Sequence, residues 1–125
     1  MQLTKSELEI MNLLWRENRP LSRGQILELS GDKSWKDNSV HILLNGMLKK
    51  EAIHEEGFVR SGKVWGRLYA PSVDIGSYYF ENIFLPLGQD CYPMLFSAML
   101  KDPAITEEIL DQFDVMLRER RARMK

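Results

Sequence analysis

Apolar residues near the N-terminus recur at the three- and four-residue spacing of a helix. Thr4 and Glu7 occupy the positions of a capping box, in which each side chain accepts a hydrogen bond from the backbone N–H of the other residue. Pro20 cannot continue a helix and disfavours the helical conformation at Arg19. The pattern therefore predicts a helix over residues 5–17. Its apolar stripe comprises Leu8, Met11, Leu14 and Trp15, with Ile10 and Leu13 beside it.

A second, shorter helix is predicted from a second capping box. Ser22 and Gln25 hold the paired positions, and the pattern ends at Ser30-Gly31. The apolar positions are Ile26, Leu27 and Leu29. The free N–H groups at the start of this helix favour an anion beside Ser22 and Arg23, but Ser22 is equally well explained as a plain cap. The sequence leaves both interpretations open.

The third apolar stripe lies within residues 37–51. The side chains of Asp37, Asn38 and Ser39 can accept hydrogen bonds from the first turn of a helix, so we expect them to cap one. The buried stripe comprises Val40, Leu43, Leu44, Met47 and Leu48. The opposite face comprises Ser39, His41, Ile42, Asn45, Gly46 and Lys49. Such a mixed, mostly uncharged face is typical of a surface that contacts a partner.

The spacing then changes from helical to alternating. Residues 53–59 and 64–70 are short runs rich in β-branched and aromatic side chains, joined at residues 60–63 by a segment suited to a tight turn. This predicts a β-hairpin. Its basic residues are Arg60, Lys63 and Arg67, and no acidic residue lies between positions 57 and 70. Trp65, Arg67 and Tyr69 share one face of the second strand by alternation.

Residues 72–125 are helical in character, with segments near 75–84, 92–101 and 106–123. About fifty residues in short helices cannot enclose so much apolar surface alone. We therefore expect them to bury it against a second copy of the chain. The predicted dimerisation residues are Tyr79, Ile83, Leu95, Met99, Ile109, Phe113 and Met116.

Composition excludes several functional classes. Cys91 is the only cysteine and there are two histidines, so an internal disulfide is impossible and no metal or other cofactor is expected. The sequence has no long apolar run and no leader pattern, which predicts a soluble, cytoplasmic protein that does not contact the membrane. No cluster of acid, base and nucleophile and no glycine-rich phosphate loop is present, so we do not expect an enzyme.

Three helices followed by a hairpin is the order of a winged helix-turn-helix. The predicted fold class is mainly α with a small β-hairpin, with a winged-helix DNA-binding domain over residues 1–71 and a helical dimerisation region over residues 72–125. In this architecture the third helix enters the major groove of DNA. Residues 37–51 would then be the recognition helix.

The sequence also resembles a known family over residues 3–71, and more loosely over 92–116. The matching positions are Leu3-Thr4, Glu7, Ile10-Met11, Leu14-Trp15, Val40, Leu44, Leu48, Lys50, Ile53 and Tyr69-Ala70-Pro71. They resemble the penicillinase-repressor family of bacterial transcription regulators, the BlaI, MecI and CopY group. The resemblance implies a homodimer that represses β-lactamase or copper-homeostasis operons, from a two-fold symmetric operator, until a signal releases it.

Two features depart from that family. Its members usually carry basic residues and threonines where this chain has His41, Ile42 and Gly46, and no arginine lies between Gly24 and Val59 to pair with guanine. The operator should therefore differ. Copper-branch members carry Cys-x-Cys pairs, which this chain lacks, so copper sensing is not supported. For the penicillinase branch the resemblance implies a sensor and protease pathway that cleaves the dimerisation region, near Ala98-Met99.

Base contacts are predicted from the exposed face of the third helix. The candidates are Ser39, His41, Ile42 and Asn45. His41 and Asn45 could equally be solvated surface residues. Ile42 is an apolar side chain off the buried stripe, and its exposure to water is unfavourable unless another group covers it. That group is either a thymine methyl group or the loop that carries Trp35. We favour the contact with DNA.

Phosphate contacts are predicted from basic residues around that helix. The candidates are Arg23, Lys36, Lys49, Arg60, Lys63 and Arg67. The three on the hairpin could instead keep an edge strand soluble, although a wing lies beside the DNA backbone in this architecture. The alternative to a repressor is a winged-helix protein-interaction module with weak or no DNA binding, which the sparse charge of the third helix favours.

Overall fold

The computed structural model describes residues 1–61 and 63–125 of the chain. These form two compact units, Met1–Ile83 and Phe84–Lys125. The predicted turn over residues 60–63 includes Gly62, which lies outside the described residues. The predicted domain boundary after residue 71 stays a prediction.

Three helices open the first unit, and the first two begin as the capping boxes predict. Helix α1 spans Lys5–Glu17, α2 spans Arg23–Leu29 and α3 spans Val40–Lys49. The Glu7 N–H donates to Thr4 Oγ1 at 3.2 Å, and the Thr4 N–H donates to Glu7 Oε1 at 2.9 Å. The bounds predicted for α1 are confirmed.

The start of α3 differs from the prediction. Asp37–Ser39 form a 3₁₀ turn that runs directly into the helix, and the Ser39 N–H donates to the Lys36 carbonyl at 2.9 Å. Within the described residues, neither Ser39 at the N-cap of α3 nor Lys36 at the N-cap of the 3₁₀ turn makes a side-chain capping bond. Asp37 instead pairs with Lys33 at 2.6 Å. The predicted side-chain capping is wrong, because the extra turn already satisfies backbone groups at this end.

The predicted hairpin is present and belongs to a three-stranded antiparallel sheet. Strand β1 is Leu21–Ser22, β2 is Ile53–Ser61 and β3 is Val64–Pro71, in the order β1-β3-β2. The register pairs Leu21 with Tyr69 across β1 and β3. The β2–β3 hairpin, called the wing below, has an irregularity between Glu55 and Phe58, where Gly57 adopts a φ of 102°. Only Gly adopts such a φ without strain.

The core of the first unit lies between the three helices and the base of the sheet. From the predicted stripe of α3, Val40, Leu44 and Met47 are buried, while Leu43 and Leu48 are partly buried and pack against the core. The remaining buried apolar residues are Leu3, Ile10, Met11, Leu13, Leu14, Leu21, Ile26, Trp35, Ala52, Ile53, Tyr69, Ala70 and Tyr78. The structure is therefore mainly α with a small sheet, as the pattern predicts.

Helix α4, Ile75–Tyr79, closes the first unit against α1. The Trp15 indole N–H donates to the Val73 carbonyl at 2.8 Å, and the Leu3 N–H donates to the Tyr78 hydroxyl at 3.2 Å. Tyr79 lies against Trp15 and Tyr78, with ring centroids 6.2 and 5.5 Å away. A π-helical turn, Phe80–Phe84, follows α4.

The second unit contains helices α5, Tyr92–Leu100, and α6, Glu107–Arg123. Two 3₁₀ turns, Leu85–Leu87 and Gln89–Cys91, precede α5, and the Thr106 hydroxyl caps α6 by accepting from the Ile109 N–H. Phe96 and Phe113 pack with ring centroids 5.5 Å apart, yet none of the described side chains of this unit is buried. Across residues 1–61 and 63–125, no helix has both the length and the apolar character needed to cross a membrane.

Candidate nucleic-acid interface

An open groove of about 730 Å³ lies between the start of α2, the exposed face of α3 and the wing. Five of the predicted DNA-contacting residues line it: Arg23, His41, Asn45, Arg60 and Arg67. They come from three separate stretches of the chain. The fold therefore brings together predicted base contacts and predicted phosphate contacts around one concavity.

The other predicted contacts lie outside this groove. Lys36, Lys49 and Lys63 are exposed, and Ser39 is partly buried in the 3₁₀ turn before α3. Ile42 is 64% exposed, whereas Trp35 is buried in the core. Ile42 is thus available to a partner molecule, and this exposure favours the DNA alternative over packing on the Trp35 loop.

The arginines of the wing have neighbours on the wing itself. The Arg60 guanidinium lies over the Trp65 ring, 5.8 Å from its centroid, and Arg67 Nη1 is 2.9 Å from Glu55 Oε1. Both members of the Arg67–Glu55 pair are exposed, and exposed ion pairs contribute at most about 1 kcal/mol. A phosphate can therefore compete with Glu55 for Arg67.

Ser22 acts as a cap at the start of α2. Its hydroxyl accepts from the Gln25 N–H at 3.2 Å, and the Gln25 side chain accepts from the Ser22 N–H at 2.8 Å. This reciprocal pair supports the plain-cap interpretation of Ser22. Arg23, one residue later, is exposed and lines the groove.

Sequence reasoning did not assign several groove residues to the site. Gln25, Glu28, Trp65 and Tyr69 also line it. Alternation along β3 placed Trp65 and Tyr69 on the same strand face as Arg67, which was the available signal. Because Glu28 is acidic, it offsets part of the positive charge that Arg23, Arg60 and Arg67 bring to the groove.

A buried acid fixes the C-terminal end of α3 to α1. Glu7 is 4% exposed and accepts hydrogen bonds from the Thr4 N–H and from Lys50 Nζ, which also donates to the Gln2 carbonyl at 3.2 Å. Burial by itself would raise the pKa of Glu7. The hydrogen bonds from Lys50 and Thr4, together with the charge of Lys50, outweigh burial and hold that pKa below its ordinary value.

Gly46 makes this junction possible. A Cβ atom at position 46 would lie 3.0 Å from Glu7 Oε2, so the carboxylate occupies the space that a side chain on α3 would need. Gly46 belongs to the predicted exposed face but is in fact partly buried against Glu7. Its presence is explained by packing between α1 and α3.

Comparison with known proteins identifies the family of this chain. A family model described as "Penicillinase repressor" matches residues 3–74, more than half of the chain. The penicillinase repressor of Bacillus licheniformis is 25% identical over 121 residues, which covers 92% of this chain and 89% of that protein. The structure of MepR, a transcription regulator of the Staphylococcus aureus multidrug efflux pump MepA, aligns with a TM-score of 0.45 at 14% identity, covering 99% of this chain and 82% of that one.

The family match spans the three helices, the wing and the groove between them. These are the elements that a winged helix-turn-helix uses on DNA. The chain therefore belongs to the penicillinase-repressor family: it is a transcriptional regulator with a winged-helix DNA-binding fold, and it is not an enzyme.

Proposed function

We propose that the protein is a homodimeric repressor that binds a two-fold symmetric DNA operator and controls antibiotic-resistance genes of the β-lactamase type. The groove between α3 and the wing is the observation that carries the proposal, because it gathers Arg23, Arg60 and Arg67 around the exposed face of α3. The name of the Bacillus licheniformis relative supports the gene class.

The groove suits one strand of the DNA backbone. With α3 in the major groove, the adjacent sugar-phosphate strand passes between that helix and the wing, where phosphates would meet the arginines. Lys36 and Lys49 flank α3 at its two ends, and Lys63 lies on the wing. Base contacts come from Ser39, His41, Ile42 and Asn45.

The second unit supplies most of the dimer contact in this proposal, and Tyr79 and Ile83 at the end of the first unit add to it. None of the described side chains of the second unit is buried, and its exposed apolar groups include Met94, Met99 and Met116. A second copy of the chain would cover such a surface, and two-fold symmetry would then require a palindromic operator. Ile83, Leu95, Ile109 and Phe113 complete the proposed contact. Tyr79, already packed on Trp15 and Tyr78, contributes its remaining exposed edge.

Salt dependence of binding tests the proposal. Three to five phosphate contacts per protomer give about six to ten per dimer, so log K should fall with log salt at a slope of about −5 to −9. The probe is duplex DNA from the region upstream of the protein's own gene, titrated by fluorescence anisotropy. Lys63→Ala should weaken binding to every sequence equally and make the salt dependence less steep. Lys101→Ala, the same charge change in the second unit, should leave both the affinity and the salt dependence unchanged.

A slope near zero, or no binding at low salt, would contradict the proposal. Co-purification of a protein that binds through α3 would then support the interaction-module alternative. The wing arginines and the exposed Ile42 would in that case contact a protein surface.

Release of repression by proteolysis extends the proposal. Ala98 is exposed near the C-terminal end of α5, outside the proposed dimer contacts, so a protease would need to unwind only the last turn to reach the bond between Ala98 and Met99. In induced cells, mass spectrometry should detect a fragment that ends at this position. Loss of repression with the chain intact would instead indicate a different release signal.

A further inference from the structure

The exposed face of α3 has an unusual chemistry for a recognition helix. Its exposed residues are His41, Ile42, Asn45 and Lys49. Only Lys49, in the last turn, carries a permanent charge. Resting on the proposed function, we infer that α3 selects A·T base pairs, with Ile42 contacting a thymine methyl group and Asn45 pairing with an adenine on a neighbouring base pair.

Ile42 carries the first half of this inference. At 64% it is the most exposed apolar side chain described in the first unit. The major-groove edges of the four bases present hydrogen-bonding groups and a single apolar substituent, the C5-methyl group of thymine. A sequence-specific partner for an aliphatic side chain in that groove is therefore thymine.

Asn45 carries the second half. An asparagine in the major groove makes two hydrogen bonds with the N6 and N7 atoms of adenine. It follows Ile42 by three residues, so both side chains lie on the same side of α3, separated by a rise of about 4.5 Å. Since base pairs are about 3.4 Å apart along the duplex, the two side chains should contact adjacent or next-neighbour base pairs.

The rest of α3 favours the same base pairs. Paired hydrogen bonds from arginine or lysine are the commonest way to select guanine. Helix α3 contains no arginine, and its one lysine, Lys49, lies in the last turn, where we assign it to a phosphate. Ile42 is also isolated among polar neighbours on its helix face, between His41 and Asn45. A protein-docking surface usually needs a contiguous apolar patch, so an isolated isoleucine fits a base methyl group better.

Chemically altered bases test the inference directly. Binding duplexes are first selected from a random DNA pool, and each thymine of the half-site is then replaced by deoxyuridine, which removes only the methyl group. At one position of the half-site, the replacement by deoxyuridine should weaken binding by about fourfold per half-site. This is the factor expected for the loss of one buried methyl group. Replacing that T·A pair by C·G should weaken binding, and 5-methylcytosine at the same position should recover part of the loss.

Protein variants assign the effect to Ile42. With Ile42→Ala, thymine and deoxyuridine duplexes should bind equally well. Asn45→Ala is the matched variant: it should keep the sensitivity to the methyl group and lose the preference for adenine at the neighbouring base pair. Ile42 is exposed, so the first variant should keep its fold, which circular dichroism verifies.

Two failures are distinguishable. If no DNA is enriched at low salt, both the proposed repressor function and this inference are wrong. If DNA is enriched but the half-site lacks A·T pairs, or if deoxyuridine has no effect that depends on Ile42, the repressor function stands and the inference is overturned. A methyl effect that persists unchanged in Ile42→Ala also overturns it.

Discussion

The two units of this chain are both rich in helix, but only the first has a buried core. In Met1–Ile83 the helices bury Ile10, Leu14 and Leu44 almost completely, whereas in Phe84–Lys125 every described side chain is at least partly exposed. Burial of apolar surface is the main favourable contribution to folding. The first unit therefore has its own source of stability, whereas the second would gain its buried surface from the proposed dimer contact.

The same contrast occurs within α3. Its inner face holds the fully buried Leu44 and Met47, while its outer face presents Ile42 and Asn45. Substitutions on the inner face should act on stability, and substitutions on the outer face should act on binding. Variants that separate these effects test the contrast directly.

The largest effect is expected in the second unit, for Met116→Asp. Met116 is 56% exposed, so a charge there should not disrupt the unit itself but should disfavour an apolar dimer interface. A monomer contacts one half-site instead of two, so operator affinity should fall by about 10²–10⁴-fold. Sedimentation velocity gives the oligomeric state and anisotropy gives the affinity.

Arg118→Gln is the matched control for this variant. It makes the same change in net charge and lies about 200° around α6 from position 116. It should remain dimeric and bind operator with nearly unchanged affinity. A dimeric Met116→Asp protein would place the interface elsewhere.

In the first unit, Leu44→Ala should cause the largest loss of stability. Leu44 is 1% exposed, and removing a buried leucine side chain costs about 2–5 kcal/mol. Ile42→Ala, two residues earlier on the outer face, should change the free energy of unfolding by less than about 0.5 kcal/mol. Urea denaturation followed by circular dichroism measures both. Similar losses for the two variants would contradict the two-faced description of α3.

Glu7→Gln should cost about 1–3 kcal/mol at pH 7, because it weakens charge-assisted hydrogen bonds in a buried place. The pKa of Glu7 in the folded protein lies below its ordinary value of 4.5, so its stabilising contribution is complete above about pH 4.5 and is lost as pH falls through the folded-state pKa. Urea denaturation at several pH values should show the difference from the wild type shrinking below that point.

Glu28→Gln is the control for the pH effect. Glu28 is exposed on α2, so its replacement should change the free energy of unfolding by less than about 0.5 kcal/mol at every pH measured. If Glu7→Gln behaves in the same way, the junction between α1 and α3 does not depend on this carboxylate.

The sequence predicted the helices well where local chemistry determines them. Thr4, Ser22 and Thr106 mark helix starts through their own hydrogen bonds, and the structure shows all three. Strand β1 was missed because Leu21 and Ser22 are too short a run to show alternation, and their pairing with β3 is decided by tertiary packing. The 3₁₀ turn before α3 was missed because its residues also fit a side-chain cap.

The candidate site was predicted less completely. Residue types and fold order were enough to propose Arg23, Arg60 and Arg67, but not that they line one groove with Trp65 and Tyr69. The Glu7–Lys50 pair joins residues 43 positions apart, which no local pattern specifies. A signal did exist: Glu7 falls on the same helix face as Ile10, Met11 and Leu14, and an acid on a buried stripe requires a partner.

The smallest expected effect concerns Gly46. Alanine is favoured over glycine inside a helix by about 1 kcal/mol, but its Cβ would lie 3.0 Å from Glu7 Oε2. Gly46→Ala should therefore give no gain in stability in the wild type, yet should stabilise the Glu7→Ala variant by about 0.5–1 kcal/mol.

Gly24→Ala in α2 is the control. The atom nearest to a Cβ at position 24 is Ser22 Oγ, at 4.0 Å, so this substitution should have the same effect on stability in the wild type and in the Glu7→Ala variant. A double-mutant cycle in urea measures the coupling between positions 46 and 7, and a coupling near zero would mean that α1 and α3 do not depend on this close approach.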